Sequence, residues 1–178
     1  IYDHYLSEGA ADRMCAYLKE RWEKPGSRYY VMKEMFACLH KLEVLSADWP
    51  KKVRHYEKVL FGGGRKQYEA LHQYRMPDKI AEQLLSYFIY VYFAGAVYDG
   101  MPYSKVKLAV ISTMLIEDTV CAKAAEKGQL SFEAIADAAH SYAREVEHSD
   151  LNLQRLSIMF RHRKCFHIGR LCGALLEW

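Results

Sequence analysis

Apolar residues recur at three- and four-residue intervals along nearly the whole chain, and no stretch alternates apolar with polar as a half-buried strand would. Met14, Cys15, Tyr17, Leu18 and Trp22 predict a helix over Ala10 to Trp22, stopped by Pro25-Gly26. Val31, Met32, Met35, Phe36, Leu39, Leu42 and Leu45 continue the period and predict a second helix from Arg28 to Leu45. Asp48-Trp49-Pro50 restarts the chain, because proline suits a first helical turn whose N–H has no partner. Gly62-Gly63-Gly64 ends that helix in a flexible link. The triplet lacks the lysine-hydroxyl ending and the preceding strand of a phosphate loop.

Pro77-Asp78 opens the most apolar segment. Ile80, Leu84, Tyr87, Phe88, Val91 and Tyr98 mark one face and Ala81, Leu85, Ile89, Tyr92, Phe93 and Ala96 a second, which predicts a central helix covered on both sides. The uncharged stretch Leu84 to Tyr98 falls short of the roughly 20 residues that span a bilayer, so it reads as a buried helix. Asp99-Gly100-Met101-Pro102 is turn chemistry, and a long helix follows from about Ser104 to Lys127, closed by Gly128. The two make an antiparallel hairpin. Ser131 caps a helix carrying Phe132, Ile135, Ala136, Ala139, Tyr142 and Val146, which His148-Ser149-Asp150 interrupts. A last helical stretch begins near Leu151. After Phe160, Arg161-His162-Arg163-Lys164 reads as a solvated turn before a small apolar tail with Gly169 and Gly173. The fold class is therefore all-α: a helical bundle of roughly eight or nine helices with a long central antiparallel hairpin, as a single domain over residues 1–178.

Composition adds constraints. With 51% hydrophobic and 26% charged residues in 178, the chain can bury one core. A net charge of +3 gives no general attraction to polyanions, so neither a nucleic-acid nor a membrane partner is expected. The chain starts at Ile1 without a signal peptide, which reads as the C-terminal fragment of a longer, cytoplasmic protein. Cys15, Cys38, Cys121, Cys165 and Cys172 include no C-x-x-C pair, so reduced core thiols are expected, with neither a metal site nor a cofactor in this chain.

Two Glu-x-x-His pairs, Glu69 with His72 and Glu145 with His148, follow the ligand spacing of di-metal carboxylate bundles, with Glu82, Glu117 or Asp118 as further ligands. A di-metal helical-bundle oxidoreductase is one reading, although a chain this rich in glutamate and histidine yields such a pair by chance. A ligand-binding or interaction module is another. Two polar clusters stand out on otherwise apolar helices: Tyr98-Asp99-Gly100 with Ser104 and Lys105, and Tyr142 to Ser149. Either can be a plain helix end.

Those clusters sit in segments that carry a family resemblance. Glu82-Gln83-Leu84-Leu85-Ser86-Tyr87-Phe88, then Phe93-Ala94-Gly95-Ala96-Val97-Tyr98-Asp99-Gly100, then Ser104-Lys105-Val106-Lys107 and finally Ser141-Tyr142-Ala143-Arg144-Glu145-Val146-Glu147-His148-Ser149 resemble, in order and spacing, the flagellin lysine-N-methylase family. The likeness is strong from about Pro77 to Leu156 and thin elsewhere. It implies the C-terminal, substrate-handling or scaffolding domain of a protein-lysine N-methyltransferase of the bacterial flagellum, with flagellin as partner. For the full-length family it implies S-adenosylmethionine and an iron-sulfur cluster on closely spaced N-terminal cysteines. This chain has no such cysteines and no glycine-rich strand-to-helix signature.

Amine methylation needs a deprotonated lysine held in line with a methyl source. Under the resemblance, Asp99, Glu145, Glu147 and His148 are the candidate catalytic bases or orienters, and Tyr98, Tyr103, Lys105, Tyr142 and Arg144 the candidate substrate-binding groups. Helix lengths predict that the Asp99 turn and the 144–148 helix end meet, pairing Arg144 with Asp99 or Lys105 with Glu145.

Overall fold

The computed structural model describes residues 7–22 and 27–177, and among these every regular element is helical. The described residues form ten α-helices: α1 (Ala10–Trp22), α2 (Ser27–Leu39), α3 (Trp49–Phe61), α4 (Gly64–Leu71), α5 (Asp78–Phe93), α6 (Ala96–Asp99), α7 (Pro102–Lys127), α8 (Phe132–Tyr142), α9 (Asp150–His162) and α10 (Ile168–Leu176). Short 3₁₀ turns follow α4 and α9, and a π-helical turn, Ala143–Glu147, extends α8. The Pro25-Gly26 stop lies outside the described residues.

α5 and α7 form the expected antiparallel hairpin, the most extensive pairing in the molecule. The inner member is nevertheless α7, not α5. α7 packs against α2, α3, α4, α5, α8 and α9, and Leu108, Ile111, Met114, Ile116, Val120 and Cys121 on its different sides are all buried. On α5 only Ala81 and Phe88 are buried, while Tyr90 is 87% exposed. Members of both apolar faces read on α5 stay exposed, Tyr87 and Val91 on one and Ile89 and Phe93 on the other, so the helix is not covered on both sides.

The boundaries follow local chemistry where it is decisive. Ser131 accepts a hydrogen bond from the Ala134 N–H at 3.2 Å and starts α8. Gly100 and Gly128 take φ of 65° and 69°, a left-handed conformation nearly free of penalty only for glycine, to end α6 and α7. Gly62 and Gly63 make a tight corner between α3 and α4 rather than a flexible link. α2 stops at Leu39, short of the expected Leu45, and the hairpin's first arm breaks at Ala94-Gly95, so that α6 is a separate turn.

The tail is a helix, α10, packed on α1 and α2. Its two glycines are spaced one turn apart and leave room for the end of α1. A Cβ at Gly169 would lie 2.2 Å from the Trp22 ring, and one at Gly173 would lie 2.6 Å from the Trp22 carbonyl oxygen. α1 itself has no buried residue, so this seam is its principal attachment. In the basic run Arg161, His162 and Lys164 are exposed as expected, but Arg163 turns inward, donating to Cys38 Sγ at 3.1 Å and pairing with Glu34 at 3.6 Å.

Candidate functional site

The two polar clusters fold into different environments. At the hairpin tip Asp99 pairs with Lys105 at 2.8 Å and accepts the Met101 N–H at 2.9 Å, so its carboxylate caps the turn into α7. Both contacts hold its pKa below the ordinary aspartate value, the Lys105 hydrogen bond most strongly. Tyr98 and Tyr103, 93% and 71% exposed, flank this turn and face solvent.

The second cluster is built on the π turn. There the His148 N–H reaches back five residues to the Ala143 carbonyl at 3.1 Å, one more than an α-helix allows. The extra residue turns Glu145 into the core, where it is 1% exposed. Its Oε2 accepts the Leu45 and Ser46 N–H groups at 3.1 and 3.2 Å. Asn152, fully buried, completes the join: its Oδ1 accepts the Glu43 N–H at 2.7 Å, and its Nδ2 donates to the carbonyls of Glu43 and Glu145 at 2.9 and 2.8 Å. This clamp is why α2 stops early, because side chains a hundred residues away satisfy the amides of Glu43, Leu45 and Ser46 better than another helical turn would. Arg144 Nε lies 3.4 Å from Glu145 Oε1, an ion pair without hydrogen-bond geometry that leaves both atoms otherwise unpartnered. His148 is exposed.

The expected cross-pairs, Arg144 with Asp99 and Lys105 with Glu145, are therefore replaced by Asp99 with Lys105 and Glu145 with the 45–46 backbone. What does reach the hairpin is Glu147. Its Oε1 accepts the Tyr92 hydroxyl at 2.7 Å and the Tyr87 hydroxyl at 3.2 Å, both from α5. Burial and the adjacent Glu147 raise the pKa of both phenols, so both remain donors. Tyr142, expected as a wall, is buried beneath them. It makes a short hydrogen bond with Ser112 and meets Phe88 edge to face at 5.7 Å. Tyr87 and Tyr92 belong with this site although sequence reading placed them only as helix faces. Their signal was the tyrosine density of α5.

A second polar group lies in the core. Arg28, 2% exposed, donates to Glu117 Oε2 at 2.6 Å, Asp118 Oδ1 at 2.9 Å and the Tyr68 hydroxyl at 3.3 Å, and Tyr68 donates to Asp118 Oδ2 at 2.8 Å. Burial disfavours the Arg28 charge, but Asp118, Tyr68 and Glu117 outweigh it and hold the guanidinium protonated. Burial pushes the Glu117 carboxyl up to about 7 against the pull of Arg28, and its Oε1 has no partner. The adjacent acids Glu117-Asp118 inside an apolar helix were the visible clue, and both accept from Arg28.

The Glu-x-x-His reading fails on geometry. Glu69 pairs with Arg65 at the surface, His72 lies edge-on to Tyr68, and Glu145 and His148 diverge across the π turn. Among the described residues no three His, Cys, Asp or Glu side chains are grouped as a metal would need. Cys38 and Cys121 are buried on different helices and Cys15 is exposed on α1. No helix among the described residues is long and apolar enough to cross a membrane.

Comparison with known proteins gives one result. Neither the curated proteins nor the solved structures contain a match to this chain. A family model, the FliB lysine N-methylase C-terminal domain, matches residues 1–174, well beyond the stretch from Pro77 to Leu156 where the sequence likeness is strongest. With the hairpin, the π turn and most of α10 inside that match, the chain belongs to the FliB lysine N-methylase C-terminal domain family.

Proposed function

We propose that this domain is the substrate-handling part of a protein-lysine N-methyltransferase acting on flagellin in the cytoplasm, with S-adenosylmethionine and an iron-sulfur cluster held elsewhere in the longer protein. The observation that carries the reading is the uncovered aromatic and aliphatic surface of the hairpin: Tyr90, Val97, Tyr98 and Tyr103 are between 71% and 93% exposed. Apolar groups gathered at one end of a folded domain mark a surface that a protein partner covers. Flagellin fits as that partner because family membership supplies a protein-lysine substrate. Asp99 and Lys105 fix the hairpin tip and Glu145 with Arg144 fixes the π turn. These groups position the surface, while Tyr98 and Tyr103 contact the substrate and His148 lies at its margin.

Replacing Tyr90 and Val97 together by serine in the full-length enzyme tests the reading. Both side chains are more than 80% exposed, so the thermal midpoint should hold while flagellin binding and methylation fall. Unchanged binding would reject the surface.

A further inference from the structure

Glu147 differs from the other carboxylates near the hairpin. It is partly buried, yet no lysine, arginine or histidine lies within ion-pair distance of it among the described residues. Both of its hydrogen bonds, from Tyr92 and Tyr87, end on Oε1, and Oε2 accepts none. The tyrosines therefore hold one carboxylate oxygen in place while the other, not enclosed by protein, stays open to a ligand.

The surroundings define that ligand. Tyr92 stacks on the buried Phe88 at 6.2 Å with planes 15° apart and Tyr87, about half exposed, meets Phe88 edge-on at 5.3 Å, so Phe88 backs two accessible phenol rings beside the carboxylate. Tyr87 also borders an open groove along α5 that is lined by Lys79, Glu82, Gln83, Ser86 and Tyr90. Aromatic faces attract cations and cover methylene chains. A guanidinium makes its strongest contact by pairing its planar fork with both carboxylate oxygens, and Oε1 already carries two phenol hydrogens. An ammonium is a compact charge that one free oxygen can receive.

We propose that Glu147, with Tyr87 and Tyr92, is the subsite that takes the alkylammonium end of a target lysine, its methylenes lying along the α5 groove. This rests on the reading of the domain as the substrate-handling part. It makes Glu147 a substrate-binding group, with Tyr92 and Tyr87 as positioning residues that leave one oxygen free.

The test uses the full-length enzyme and flagellin, either unmodified or with its lysines acetylated. Glu147→Gln keeps the side-chain shape and can still accept from both tyrosines. It should raise the methylation KM about tenfold or more, the usual consequence of removing one partner of a desolvated charge pair, with the thermal midpoint little changed. Acetylated flagellin should bind wild type more weakly than unmodified flagellin and bind the Gln variant equally. If Glu147→Gln proves unstable, Tyr87→Phe, which removes a single half-exposed hydroxyl, should give a smaller rise in KM. Wild-type KM in both variants, or equal wild-type affinity for both forms of flagellin, would overturn the subsite while leaving the docking surface intact. Unaltered binding by the Tyr90 and Val97 double variant would instead overturn the surface on which the subsite rests.

Discussion

Replacing Glu117 by glutamine should make the folded domain more stable at pH 8 than the native sequence. The carboxyl is 2% exposed, with Oε2 on Arg28 at 2.6 Å and Oε1 unpartnered. Burial raises its pKa from the ordinary 4.5 to about 7, more than Arg28 can offset. An unfolded chain therefore loses this proton near pH 4.5 while the folded chain keeps it to near 7. Between those values the native state binds the extra proton, so stability falls as pH rises through the window. Roughly two and a half pH units at about 1.4 kcal/mol each amount to about 3 kcal/mol, fully lost above the folded pKa. Glutamine keeps the volume but cannot ionise, and Arg28 retains Asp118 at 2.9 Å as its counter-charge. Urea denaturation of both proteins at half-unit intervals from pH 4 to 8.5 measures the difference directly, because every other titration cancels. The difference should be flat below pH 4.5, grow across the window in favour of the variant, and level off near pH 8. Parallel curves across the whole range would refute the argument, as would a difference growing in the opposite direction.

Two further outcomes probe the packing. Asn152→Ala strands the Glu43 amide and two carbonyls inside the clamp, so it should cost about 2–4 kcal/mol and speed hydrogen exchange at Glu43, Leu45 and Ser46; unchanged exchange at those amides would disprove the clamp. Gly169→Ala places a Cβ 2.2 Å from the Trp22 ring, which is relieved only by swinging the ring or moving α1 from α10, and should cost about 1–3 kcal/mol with a changed near-ultraviolet tryptophan signal; a fully native spectrum and midpoint would show that the seam is looser than described.

Much of the helical order could be read from the chain because its signals are local. Ser131 caps its own helix, Gly100 and Gly128 close theirs, and Pro102 begins α7 where its missing N–H costs nothing. The Asp99 and Lys105 pair is equally local, six residues apart, yet helix lengths pointed to Arg144 and Glu145 as their partners instead. What escaped depends on partners far along the chain. The residues from 40 to 45 carry a helical pattern, yet the amides of Glu43 and Leu45 go to Asn152 and Glu145. Hydrophobic periodicity could not rank α5 against α7, since tyrosine and leucine score alike until a neighbour buries one of them. The role of Arg28 was invisible because it lies 89 residues from Glu117. Glu147 was picked out as chemically suggestive, but its surroundings come from α5, 55 and 60 residues earlier.

The glycine seam between α1 and α10 also sets an order of events. The α5 and α7 hairpin closes over a short stretch of chain, so its contacts cost little loop entropy and can form early. The seam joins segments about 150 residues apart, as does the bond from the Arg28 N–H to the Glu177 carboxylate at 2.8 Å. At synthesis rates of roughly 5–20 residues per second, α1 leaves the ribosome about seven to thirty seconds before the helix that holds it exists. With no buried residue of its own, α1 spends that interval undocked, and it is the first element to come free whenever α10 lifts away.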